Sequence, residues 1–279
     1  MEEMNYRKQV EKYIKQADNL IKQLFFKLAK LNSDSNGNNQ DTAFSLFVSL
    51  HSSSESILIL LLEQAIFDAD ILLRTVMEGT IKYCYLMTGT IEERNNKEYI
   101  YRECLSEIDK ITDHYKAADT IKILKEFSYN NLKPFESLLL DNDLLEDLQL
   151  KYPSKIRKQL KNEWSYQSLL RSLAESANEY KAQLGTISTY ALTSHFIHYD
   201  WTGISMRKSN SDDNRTSILY DLIHSLRILS NALSFYSFRI MEFLRANEWR
   251  NTEIARLSID LLEFVYELDK IQNDFLSKV

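Results

Sequence analysis

Five glycines and two prolines are the only strong backbone breakers in 279 residues. A sheet-rich chain needs turn residues about every eight to twelve positions, and long stretches of this one have none. Apolar residues instead recur three and four apart, the period of a helix with one buried face. The expected fold is all-α: a single multi-helix bundle with a long N-terminal helix.

The breakers that do occur set the expected boundaries. Residues 1–31 read as an amphipathic helix with Val10, Tyr13, Ile14, Leu20, Ile21, Leu24, Phe25 and Leu28 on its apolar stripe. NSDSNGNNQD (residues 32–41) reads as a loop, with Asp41 placed to cap the next helix. Helices are expected over 42–64 and 66–87, then a polar connection from Gly89 through TIEERNNKE. A helix over 97–127 follows, then a turn at 129–132. Pro134 begins a helix carrying SLLLDNDLLEDLQL, and Pro153 restarts the chain as a short basic helix to 162. Helices over 164–183 and 186–198 come next, then a second loop over 199–215. Two final helices span 216–247 and 252–277. The expected division is an N-terminal helical extension with its loop, residues 1–40, and a bundle, residues 41–279. A boundary between Pro134 and Pro153 is the alternative.

The formal net charge of -6 speaks against a generic nucleic-acid coater, which needs a global positive field. One local basic segment, KYPSKIRKQLK, carries Lys151, Lys155, Arg157, Lys158 and Lys161; it is either a patch or a solvated helix face. Cys84 and Cys104 show neither CxxC spacing nor a zinc pattern, and two reduced thiols are expected. The N-terminus lacks an apolar signal region, and the run ILILLL is far short of the roughly 20 residues of a membrane span. A cytoplasmic location without membrane contact is the expectation.

Two stretches carry chemistry. In IFDADILLRTVMEGTIKYCYLM, Asp70, Arg74, Glu78 and Lys82 recur every four residues and share one helix face. Such a row is a surface ladder of ion pairs or, because Ile71, Leu72, Leu73, Val76, Met77, Ile81 and Tyr85 surround it, part of a buried polar pocket. A guanidinium held there by a carboxylate offers fixed donors to an anion. In YALTSHFIHYDW, Tyr190, Ser194 and His198 share a face at the same spacing, and His198 is the side chain suited to proton transfer. His195 and His198 with Asp200 are the one conceivable metal set, but no HxxxH or HExxH element supports it. No metal and no cofactor are expected. GxSxG, Walker and GxGxxG patterns are absent, which argues against the common hydrolases and nucleotide-binding folds.

At these two stretches the chain resembles a family of uncharacterised bacterial all-helical proteins, a domain of unknown function. That family's pattern is an apolar helix with Arg, three residues and Glu, continuing into an aromatic-rich run, matched by Arg74, Glu78 and IKYCYL. A later Tyr, Ser and His at fourfold spacing is matched by Tyr190, Ser194 and His198. The resemblance spans residues 43–200. More distantly the chain is similar to the HEPN superfamily of helical bundles, many of them RNases of bacterial toxin and antiviral systems. Those carry their Arg and His on one helix, and no arginine here precedes a histidine at that spacing. The equivalent pair would be Arg74 and His198 from two helices.

The resemblance implies metal-independent cleavage of RNA or another phosphate ester. In that scheme His198 is the acid or base and Arg74 holds phosphorane charge. Glu78 orients Arg74, and Tyr190 orients His198 or the substrate. Asp70, Ser194 and His195 would complete the binding surface, and a homodimer is expected. The alternative is a non-catalytic nucleotide- or protein-binding module, with the N-terminal helix recruiting a protein partner.

Overall fold

The computed structural model describes residues 2–34, 41–198, 200–209, 215–247 and 251–277. It is all-α, with no strand among the described residues. The helices are α1 (Glu2–Asp34), α2 (Asp41–Leu62), α3 (Ile66–Met87), α4 (Ile91–Tyr99), α5 (Leu105–Glu126), α6 (Lys133–Glu136) and α7 (Asn142–Lys151). They continue as α8 (Ser154–Glu163), α9 (Tyr166–Ser176), α10 (Thr186–His198), α11 (Trp201–Ser209), α12 (Arg215–Ala246) and α13 (Thr252–Leu276). A π-helical turn, Ile100–Cys104, joins α4 to α5, and a 3-10 run, Asn178–Gly185, precedes α10.

The chain forms two compact units: Met1–Thr88 with Leu170–Val279, and Gly89–Leu169. In the larger unit α3 packs on α2, α10 and α12, and α1 lies on α2, α12 and α13. Val10, Ile14, Ala17, Ile21, Leu24 and Leu28 of α1 are buried, so this helix belongs to the core of the larger unit. Its apolar stripe is already spent on the protein's own core. Gly79 allows the close approach of α2 to α3; a Cβ there would stand 2.4 Å from the Leu50 side chain. Gln64, with φ 60°, turns the chain between these two helices.

The smaller unit packs Cys104, Ile108, Ile111, Leu148 and Tyr152 around its own core. His114 Nδ1 accepts the Leu140 N–H at 3.0 Å, fixing the chain ahead of α7. Both cysteines are free and buried.

Several boundaries differ from expectation. TIEERNNKE is helix α4, because Thr90 and Glu93 form a reciprocal capping box that the polar composition concealed. SLLLDNDLLEDLQL is interrupted: its helix starts at Asn142, where the Asp141 side chain caps Leu144 N–H at 2.8 Å. The helix expected over 164–183 ends at Ser176 and gives way to the 3-10 run. Within the expected loop 199–215, Trp201–Ser209 is helical, with Asp200 accepting the Gly203 N–H at 3.0 Å. The loop expected at 32–41 is helical through Asp34, and its residues 35–40 lie outside the described residues, as do 248–250 of the expected turn before α13.

One helix, Thr42–Leu62 within α2, is long and apolar enough to cross a membrane. A buried core helix passes the same test, and Phe47, Leu50, Ile57, Leu58 and Leu61 are in the core.

Candidate functional site at α3, α10 and α12

The charged row on α3 is neither a surface ladder nor a sealed pair. Asp70 is almost wholly buried and turns away from Arg74 toward α12. Its Oδ2 lies 3.0 Å from His224 Nε2 and accepts from Arg227 Nη2 at 2.8 Å. The other oxygen, Oδ1, is buried without a hydrogen-bond partner. Two basic side chains thus meet a carboxylate that would otherwise be costly to bury.

One turn on, Arg74 lies over the Tyr190 ring, with its guanidinium carbon 4.0 Å from the centroid. The contact is a cation–π interaction at a half-buried site. Arg74 Nη1 is buried and lacks a hydrogen-bond partner. One turn further, Glu78 accepts from Lys82 at 2.7 Å and from the Tyr190 hydroxyl at 2.8 Å. Burial alone would raise the Glu78 carboxyl. The hydrogen bonds from Lys82 and Tyr190, with the charges of Lys82 and Arg74, outweigh it and hold the carboxyl below its usual range. The Tyr190 hydroxyl is pushed up by burial and by the Glu78 carboxylate it serves.

Aromatic packing sets the register of the three helices. Phe67 meets Phe196 of α10 edge-on at 5.1 Å and His224 of α12 at 5.5 Å. Phe196 therefore stands at the start of α3 and Tyr190 at its middle, so α10 runs antiparallel to α3. His224 and Arg227 take their places because three residues separate them on α12, enough to put both on the face that meets Asp70.

This register separates the pair on which the sequence-based scheme rested. His198 is exposed at the last residue of α10, beyond Phe196. Eight residues divide it from Tyr190, roughly 12 Å of helix axis. The structure thus brings Arg74, Glu78 and Tyr190 together, with Asp70 alongside, and leaves His198 outside the cluster. Ser194 is half-buried and makes no described hydrogen bond. His195 serves a corner: its Nδ1 lies 2.5 Å from Asp200 Oδ2, beside the start of α11. Gly203 fits there because a Cβ would stand 2.4 Å from the His195 carbonyl oxygen. No three His, Cys, Asp or Glu side chains are grouped to hold a metal ion among the described residues.

The residues that sequence reading missed are His224 and Arg227. Their signal was present: a histidine and an arginine on an otherwise apolar helix, which need partners if buried. What the sequence lacked was the pairing of α12 with α3, more than 150 positions away.

Residues 40–216 match a family of unknown function, DUF5677, and the chain belongs to that family. The match contains α3 and α10 and ends before His224 and Arg227. No curated protein and no solved structure matches the chain.

Proposed function

We propose that the α3–α10–α12 cluster is a phosphate-ester site and that the protein is an RNA-cleaving effector, HEPN-like in its chemistry, with His224 in the role first expected of His198. The observation that carries this reading is the Asp70–His224 contact beside two arginines. A buried carboxylate that accepts from Nε2 fixes the imidazole and leaves Nδ1 to exchange a proton. The scheme starts when Nδ1 removes the proton of an RNA 2′-hydroxyl as its oxygen attacks phosphorus. The same nitrogen then returns the proton to the departing 5′ oxygen, leaving a cyclic phosphate. Arg74 and Arg227 are the cations available to the phosphorane. His224, Arg227 and Glu78 keep 17%, 28% and 35% of their side-chain surface open, so a ligand can reach the cluster. A role in bacterial defence or toxin biology, a cytoplasmic location and a dimeric state belong to the same proposal and rest on resemblance.

Incubation with a single-stranded RNA tests it. The expected result is cleavage by the wild type to cyclic-phosphate ends, with Arg74→Ala and His224→Gln each slower by at least about 100-fold and still folded. His198→Ala is expected to retain the rate. Undiminished cleavage by both site variants rejects the scheme.

A second reading, nucleotide binding without turnover, is favoured by one observation: Glu78 already partners the polar groups around Arg74. Nucleotide-induced thermal stabilisation without cleavage would select it.

A further inference from the structure

The geometry points to an RNA-tracking surface on α1, formed by Lys8, Lys12 and Lys15. This inference rests on RNA being the substrate class proposed above.

Between Arg7 and Ser33 the sequence holds seven basic residues, Arg7, Lys8, Lys12, Lys15, Lys22, Lys27 and Lys30, against two acidic ones, Glu11 and Asp18. Over the whole of α1 the same seven basic residues stand against five acidic ones, Glu2, Glu3 and Asp34 lying at its ends, so the helix carries a small positive excess in a chain of net charge -6. Lys8, Lys12 and Lys15 stand four and three residues apart on one face. All three are exposed, and none has an ion pair among the described residues. Further along α1, Lys22 is committed to Asp18 and Lys27 to Glu253, which leaves Lys30 apart from the row. In the segment KYPSKIRKQLK of the smaller unit, Lys151 is on Glu107 and Lys161 on Asp109, while Lys155, Arg157 and Lys158 make no ion pair among the described residues and form the rival patch. Free lysines at regular spacing fit a chain of phosphates, whose counterions they displace.

Two observations select the partner. Val10, Tyr13, Ile14, Ala17 and Ile21 are buried, so α1 has no free apolar face to lay into a bilayer. Its outward surface is charged and polar apart from Phe26, the one large exposed apolar side chain of α1 among the described residues. The same stretch of α1 also adjoins the α12 segment that carries His224: Arg7, Val10 and Glu11 share the wall of one small cavity with Asp221, Leu222 and Ser225. A strand bound along the lysines would run beside the helix that carries His224. Glu11, three residues from Lys8 and four from Lys15, flanks the lysine row on the side of that cavity.

The test is fluorescence anisotropy with a labelled uridine oligomer of about 20 nucleotides, titrated from about 50 to about 300 mM salt. The triple variant Lys8→Gln, Lys12→Gln, Lys15→Gln is expected to bind at least about tenfold more weakly and to flatten the slope of log K against log salt by about 2. Cleavage of a dinucleotide, too short to reach the lysines, should be unchanged. Lys155→Gln with Lys158→Gln is the control and should leave both the affinity and the slope alone. Equal affinity and slope in the triple variant would overturn the surface while leaving the proposed site standing. A triple variant that keeps RNA affinity but loses binding to phosphatidylserine vesicles would overturn it in favour of a lipid. A wild type that binds no RNA would remove both this inference and the RNA reading beneath it.

Discussion

Helices α3 and α12 meet over two polar clusters, and the two are built on opposite terms. At one, the buried Asp70 carboxylate stands with Arg74, Glu78, His224 and Arg227, each of which is only partly buried. At the other, Arg239 and Glu242 of α12 are 0% exposed, beside Tyr83 and Cys84 of α3. Glu242 accepts from the Tyr180 hydroxyl at 2.6 Å and from Arg245 at 2.7 Å. Arg239 donates to Ser54 at 2.9 Å and lies over the Tyr236 ring at 4.5 Å, while its Nε and Nη1 lack hydrogen-bond partners. Burial lowers the Arg239 guanidinium to about 10 and pushes the Tyr83 and Tyr180 hydroxyls and the Cys84 thiol upward. Apart from Arg245, which reaches solvent and also pairs with Glu179, the groups of this cluster are closed off from any ligand. The open cluster leaves charge within reach of a ligand. This difference in access, more than in composition, is what separates the cluster proposed as a site from the one that is framework.

The sharpest test of that contrast is Glu242→Ala. It removes a wholly buried carboxylate, strips the partner from the buried Tyr180 hydroxyl and leaves Arg245 with Glu179 alone. A loss of about 3–5 kcal/mol in urea unfolding is expected, the usual result of breaking a buried charged pair. A loss below about 1 kcal/mol, the range of exposed ion pairs, would show that the interior is wet and that the two clusters are alike.

The second test uses pH. His51 is buried between Phe25, stacked at 4.0 Å, and the Tyr236 hydroxyl at 3.2 Å. Burial, and then the Arg239 charge, lowers its imidazole to about 4. The unfolded chain holds this proton more tightly, so the stability it contributes is complete above about pH 6.5 and falls as pH drops toward 4. The loss across that window is about 3 kcal/mol. His51→Phe should abolish that slope between about pH 6.5 and 5, as read from thermal unfolding. A wild-type curve that is flat over the same interval would mean that the folded and unfolded chains take up the His51 proton alike, with Glu55, 3.6 Å away, offsetting the burial.

The contrast also explains what could be read from sequence. Helix class and the apolar stripe of α1 were legible because they depend on periodicity within a few turns. Arg74, Glu78 and Tyr190 were legible as one group because two regular four-residue rows left few alternatives. His198 was grouped with Arg74 because spacing puts residues on a face but gives no distance along it, and the fold sets the two apart. Asp70 was seen, but its partners were not; His224 and Arg227 come from a helix distant in sequence. Nothing local flagged Arg239 and Glu242 as sealed, since the same SFRIMEFL pattern serves a half-exposed helix equally well. The capping box at Thr90 and Glu93 could have been found, and the polar composition of α4 hid it.

The smallest effect probes the open cluster alone. Tyr190→Phe keeps the ring beneath Arg74 and removes only the hydroxyl that donates to Glu78. A hydrogen bond to a carboxylate contributes about 1–2 kcal/mol, and the site is half-buried, so the lower figure is expected at neutral pH. The sign with pH is fixed. Glu78 is held below its usual range in the folded protein, so the stability it contributes is present above its unfolded value and is lost as acid protonates it in the fold. Without the Tyr190 hydroxyl that contribution shrinks, and the variant should converge on the wild type as the solution is acidified. Denaturant unfolding at about pH 7 and about pH 3 reads both quantities. A variant equal to wild type at neutral pH would mean that α10 is held to α3 by Phe67 and Phe196 alone. A deficit that persists unchanged in acid would mean that the hydroxyl serves the backbone of α10 and leaves Glu78 to Lys82.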